Sequence, residues 1–193
     1  MTRQTNRNLG LAAVAVALSL AGCTPQTAIK PEPPVSVQAA MQSAKEAYQR
    51  QDYAQAVQWF QKAAEQGDPK AQYNLGVAYN EGKGIQQDYA QAAQWFRKSA
   101  DQGIPQAQNN LGFLYQQGQG VAKDPAQAAE WFSKAAEQGY PQAQKNLGLA
   151  YRDGQGVPKD LAQATLWLRK AAAQNDAEAQ AALKQMKEVS KKP

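Results

Sequence analysis

Residues 71–100 read AQYNLGVAYNEGKGIQQDYAQAAQWFRKSA, and nearly the same string returns at 107–136 and again at 143–172. Outward from it, Trp59, Trp95, Trp131 and Trp167 stand 36 residues apart, as do Asp52, Asp88, Asp124 and Asp160. A fixed period of that size makes one supersecondary unit the building block, so the chain is expected to stack repeated units instead of wrapping one central core. Function is then to be sought on an extended surface.

Within each unit the apolar positions recur at helical spacing, and alanine, leucine, glutamine and lysine dominate without β-branched runs. The fold class is all-α, a solenoid of about four helix pairs with a final capping helix. The pairs are predicted at 37–50 and 53–66, 69–81 and 89–102, 105–117 and 125–138, and 141–153 and 161–174, followed by 177–189. Each repeated aspartate precedes Gln55, Gln91, Gln127 or Gln163 by three residues, a capping-box arrangement in which the carboxylate accepts from orphan amides and the glutamine reaches back. Gly67, Gly103 and Gly139 fall where a left-handed residue closes a helix, and Pro69, Pro105, Pro141 and Pro125 fall in first turns that tolerate a missing amide. Ala56, Ala92, Ala128 and Ala164, with the Leu-Gly pairs at 75–76, 111–112 and 147–148, read as close helix contacts. The tryptophan ladder reads as a seam between repeats.

The ends differ in kind. Arg3 and Arg7 precede an apolar run from Leu9 to Leu20, too short to span a membrane, and small residues lead to the only cysteine, Cys23. Residues 1–22 are therefore predicted to be a secretory signal. Residues 23–35 include Pro25, Pro31, Pro33 and Pro34 and read as an extended spacer of about 3.1 Å per residue. No cysteine remains for a disulfide. Without Arg3 and Arg7 the formal charge falls from +5 to +3, much of it in Lys184, Lys187, Lys191 and Lys192, a weak field that argues against nucleic acid.

Leu20-Ala21-Gly22-Cys23 resembles the lipobox of bacterial lipoproteins, which implies acylation of Cys23 and, with Thr24 next in the enterobacterial sorting pattern, an outer-membrane address facing the periplasm, with surface display also allowed. The N-L-G, Y-x-x-G-x-G, D-x-x-x-A and W-x-x-K elements of residues 68–175 resemble the Sel1-like repeat. That resemblance implies an α/α solenoid related to tetratricopeptide repeats and a role in protein–protein recognition. The unit at 36–67 has a shorter connection, Ala47 to Asp52, with no G-x-G, and is more similar to a tetratricopeptide unit. Residues 176–193 read as a polar capping helix and basic tail.

An enzyme lacks its usual players: there is no histidine, no cysteine other than Cys23, and no S-x-x-K. The G-x-G pairs at Gly82/Gly84, Gly118/Gly120 and Gly154/Gly156 follow helices, not strands, which suits turns and not phosphate cradles. No metal or cofactor is expected, and no catalysis. The expected site is the concave groove lined by first helices, with Tyr73, Asn74, Asn109, Asn110, Phe113, Lys145, Asn146, Leu149 and Arg152 facing a protein or peptide partner. In the related tetratricopeptide grooves an asparagine before Leu-Gly often meets the ligand backbone, the place of Asn74, Asn110 and Asn146; packing between neighbouring helices is the equal alternative. The sequence thus reads as a monomeric, membrane-anchored envelope adaptor. An envelope-polymer binder, for exopolysaccharide or peptidoglycan, is the second reading, and a β-lactam or peptidoglycan-related hydrolase the third.

Overall fold

The computed structural model describes residues 35–189, so the predicted signal at 1–22, Cys23, most of the linker and the tail from 190 lie outside the described residues. Among the described residues there are helices only: α1 (Val37–Gln49), α2 (Tyr53–Glu65), α3 (Pro69–Glu81), α4 (Tyr89–Asp101), α5 (Pro105–Gln117), α6 (Pro125–Glu137), α7 (Pro141–Asp153), α8 (Leu161–Ala173) and α9 (Ala177–Val189). Each packs on the next, most extensively within the pairs α1/α2, α3/α4, α5/α6 and α7/α8, while α9 covers α8. The predicted boundaries hold, with α1 and the second helix of each pair ending one residue earlier than expected.

The caps explain the boundaries. The Asp88, Asp124 and Asp160 carboxylates each accept from two first-turn amides, and Asp52 accepts from the Gln55 amide at 3.0 Å. The reciprocal half of the expected box does not form. The backbone amides of Asp88, Asp124 and Asp160 instead donate across the hairpin to the carbonyls of Tyr79, Tyr115 and Tyr151, and that of Asp52 donates to Ala47, so no capping amide is left for glutamine. Gln127 turns its side-chain amide to the Asp124 carboxylate at 3.1 Å.

Glycine sets both spacings of the stack. Within a pair, a Cβ on Gly76 would lie 2.6 Å from the Phe96 ring, one on Gly112 2.8 Å from Phe132, and one on Gly148 2.7 Å from Leu168. The first helix therefore settles directly onto a large side chain, and Phe96, Phe132 and Leu168 are at most 1% exposed. Between pairs, the second hairpin glycine abuts the start of the previous pair's second helix. A Cβ on Gly84, Gly120 or Gly156 would sit 2.8, 2.5 or 2.7 Å from the amide nitrogen of Ala54, Ala90 or Ala126. Turn duty is thus only half the role of the G-x-G element.

The tryptophans form the expected seam, with Trp95 packed against the cluster built on α1–α3 and Trp167 against the central cluster. Their outer faces carry Lys62, Lys98, Lys134 and Lys170, whose ammonium groups stand 3.9–4.1 Å from the ring centroids. The W-x-x-K spacing is one helical turn, which places the cation over the ring and hides its apolar face behind a hydrated charge.

Candidate functional site

The first pair breaks the packing rule of the others. Ala44 takes the eighth place of α1, where α3, α5 and α7 have Gly76, Gly112 and Gly148. Ala44 is completely buried, and in this pair Phe60 is partly exposed, unlike its buried counterparts Phe96 and Phe132. Over Phe60 lies a groove of about 630 Å³ walled by α1 and α3 and floored by Ala56, Val57 and Phe60. Met41, Val77 and Ala78 add apolar lining, and Gln38, Gln42, Gln49 and Asn74 supply amides along its edges. That volume and mix of an apolar floor with a few polar groups fit a ligand-binding cleft.

One end of the groove carries a fixed cation. Lys83 donates to the Tyr48 hydroxyl at 2.9 Å, and its ammonium lies 4.8 Å from the Tyr48 ring centroid and 4.1 Å from that of Tyr53. The two rings meet edge to face at 5.1 Å. The hydrogen bond to Tyr48 and the adjoining phenols raise the Lys83 pKa above its ordinary value, outweighing desolvation, so it stays charged. Tyr48 itself is 46% exposed and faces the groove.

Of the residues expected to meet a partner, Asn74 alone lines this groove. Asn109, Asn110 and Asn146 form a chain: the Asn146 amide donates to Asn109 at 2.9 Å, and Asn109 donates to Asn110 at 3.4 Å. Asn110 in turn bonds the Tyr73 hydroxyl, whose pKa is nevertheless raised, first by burial and then by Tyr140 and Glu81. These side chains tie α3, α5 and α7 together. Phe113 stands 46% exposed, Lys145 pairs with Glu178 at 2.6 Å, and Leu149 packs on the α8/α9 cluster. Arg152 grips Asp153 through two bonds of 2.8 Å. Among the described residues no group of acids, cysteines or histidines could hold a metal ion, and no helix is long and apolar enough to cross a membrane.

Sequence reasoning missed Met41, Tyr48, Phe60 and Lys83 at the groove. The available signal was Ala44 in a glycine place. It also missed a glutamine ladder. Gln72, Gln108 and Gln144, each 5% exposed, donate to the carbonyls of Ala64, Ala100 and Ala136, while Gln102, Gln138 and Gln174 donate to their side-chain oxygens at 2.8–2.9 Å. Buried amides satisfied in this way fix the rotation of each pair on the next. Their 36-residue spacing was visible in the sequence, but glutamine is more often a surface residue than a buried one.

Comparison with known proteins adds the family. The Sel1 repeat matches at residues 46–68, 69–104, 105–140 and 141–176, so the first unit, expected to be closer to a tetratricopeptide unit, matches the Sel1 repeat from residue 46. The chain is 42% identical to a protective antigen of uropathogenic Escherichia coli strains displaying an SLR fold, with a TM-score of 0.73 over 75% of this chain and 32% of that one. It is 36% identical to a Sel1 repeat protein of Oxalobacter formigenes, with a TM-score of 0.71 over 80% and 65% of the two chains. Cysteine-rich protein B of Helicobacter pylori is 25% identical, with a TM-score of 0.56 over 68% and 95%. The chain thus spans about a third of the first of these proteins and just under two thirds of the second. No curated protein matches it.

Proposed function

Because this chain belongs to the Sel1 repeat family, whose members are in general scaffolds for protein–protein interaction, we propose that it is a lipid-anchored adaptor of the bacterial envelope. Cys23 carries the acyl chains, residues 24–34 space the repeats from the outer membrane, and the repeats face the periplasm. Each buried methylene contributes about 0.8 kcal/mol to anchoring, and two acyl signals already suffice to hold a protein on a bilayer. The work is binding, not catalysis.

The observation that carries the adaptor reading is the α1–α3 groove with its uncovered Phe60. A partner segment lays an apolar side chain on Phe60 and Val57 and runs its backbone past the amides of Gln42 and Asn74. Phe113, 46% exposed on α5, lies outside that groove and serves as the comparison. Cross-linking pull-down from intact cells tests this with Gln42→Arg/Asn74→Arg and Asn110→Asp/Phe113→Asp. The first pair is expected to lose one specific envelope protein while its helical melt is unchanged; an unaltered list of captured proteins refutes a groove site. Loss of acyl labelling in Cys23→Ser, together with protection of the repeats from protease on intact cells, checks the anchor and its side of the membrane.

One observation favours a polymer ligand as the second reading. Tyr48, 46% exposed beside Tyr53 with Lys83 over its ring, leaves more aromatic surface for a sugar in the same groove than Tyr73, which is packed against Phe96 at 6.0 Å. Recovery of glycan without protein in the same pull-down promotes that reading.

A further inference from the structure

At the α8 end of the stack, a seat that is filled three times upstream is covered by no turn among the described residues. The turns at Gly84, Gly120 and Gly156 lie against Tyr53–Ala54, Tyr89–Ala90 and Pro125–Ala126, the first residues of α2, α4 and α6. Their next residues, Ile85 and Val121, pack into the apolar clusters. The same turn reaches α5, where the Gln116 amide donates to Gln155 at 3.3 Å. One period further on, the corresponding place begins at Leu161, the first residue of α8, and Leu161 is 53% exposed. Around it lies a cleft of about 640 Å³ with Thr165, Leu183 and Met186 on its walls.

Two features separate this cleft from an ordinary worn edge. Leu166, 45% exposed, stands in α8 where Gln58, Gln94 and Glu130 hold the same place in α2, α4 and α6. A second leucine is thus exposed, beside the cleft lining, on the one second helix without a covering turn among the described residues. The rim is also basic, with Lys159 and Arg169 along it. Among the described residues the only carboxylate lining the cleft is that of Asp153, which is engaged by Arg152.

We infer that this C-terminal cleft docks an acidic segment of a partner protein, a tight glycine turn followed by an aliphatic side chain, seated as the chain's own turns are seated upstream. The aliphatic group covers Leu161, Leu183 and Met186, and the acids meet Lys159 and Arg169. Neither the four residues that follow α9 in this sequence nor a second copy offers that chemistry. Residues 190–193, Ser-Lys-Lys-Pro, bring like charge and no glycine. A second copy has its three G-x-G turns already seated, and its first connection, Arg50-Gln51-Asp52, has none. The inference is independent of the α1–α3 groove.

The probe is a fluorescein-labelled peptide with the sequence of residues 150–160, closed by a terminal disulfide and carrying Arg152→Glu and Lys159→Glu; a second peptide keeps both basic residues. The full chain is expected to bind the acidic peptide at least tenfold more tightly than the basic one, with affinity falling as salt rises. Arg169→Glu, at an exposed site, and Leu161→Asp, acceptable in a first helical turn, are each expected to weaken binding about tenfold with unchanged helical melts. Gln42→Arg/Asn74→Arg is expected to leave it intact. No binding, equal binding of the two peptides, or full affinity in both cleft variants overturns the proposal. Arg169-dependent binding to vesicles of anionic lipid, without binding of the acidic peptide, overturns it in favour of a headgroup surface.

Discussion

Replacing Gly120 by alanine isolates the contact that joins one pair to the next. The residue has φ +69°, a conformation that costs an L side chain about 1–2 kcal/mol. Its new Cβ would also overlap the Tyr89 carbonyl and lie 2.5 Å from the Ala90 amide nitrogen, backbone atoms that cannot swing aside. Overpacking of that kind adds roughly 1–3 kcal/mol, so the total is about 2–5 kcal/mol. Gly103 supplies the control: its φ is +87°, and a Cβ there meets nothing within 4 Å. Gly103→Ala should therefore show the backbone term alone, about 1–2 kcal/mol. At about 2–4 °C per kcal/mol for a chain of this size, thermal melts followed by circular dichroism should separate the two variants by several degrees. Tryptophan emission should report earlier loss of the seam around Trp95 and Trp131 in Gly120→Ala than in Gly103→Ala. Equal melting shifts for both would refute the claim that hairpin-to-helix contact sets the repeat spacing.

Further substitutions probe the other joints. Gln108→Ala removes a buried amide that serves Ala100 and Gln138, and a loss of about 1–3 kcal/mol in a urea titration is expected; a neutral result would show that the ladder does not lock the stack. Ala128→Leu should overpack the α5/α6 contact by roughly 1–3 kcal/mol, since Ala128 is 2% exposed and its carbonyl faces Gly112; an unchanged melt would remove Ala128 from the helix contact. Bonds from the Gln127 backbone and side chain hold Asp124 below its ordinary carboxylate pKa, and the Arg152 side-chain bond does the same for Asp153. Depressed folded pKa values mean that this stabilisation is present above the unfolded carboxylate value of 3.8 and is lost as pH falls through the folded ones. Asp124→Asn should flatten the acid limb of a stability–pH curve, and an identical limb would contradict the assignment.

Most of the fold was legible because the signals were local and repeated. Asp88, Gly103 and Pro105 each act on the residues beside them, so their roles follow from sequence order alone. What escaped depended on neighbours far along the chain. Gln72 is buried only because Gln102 reaches its oxygen from the following helix, and the amide of Asp88 is unavailable to Gln91 because Tyr79 closes the hairpin. The groove was misplaced for the same reason. Asn74 was found from its place before Leu-Gly, but nothing in the local sequence of Phe60 sets it apart from Phe96 and Phe132, which are buried.

The glutamine ladder has a further consequence. Gln72 donates to the Ala64 carbonyl of the unit before it, Gln108 to that of Ala100, and Gln144 to that of Ala136. Each junction between neighbouring pairs therefore carries the same bond. A gene segment of 36 codons duplicated in phase would arrive with a donor for the unit before it and an acceptor for the unit after it, and would create no novel junction. The stack can lengthen or shorten by whole cassettes while both ends stay as they are. Reach, in such a molecule, can evolve separately from the surfaces at its ends.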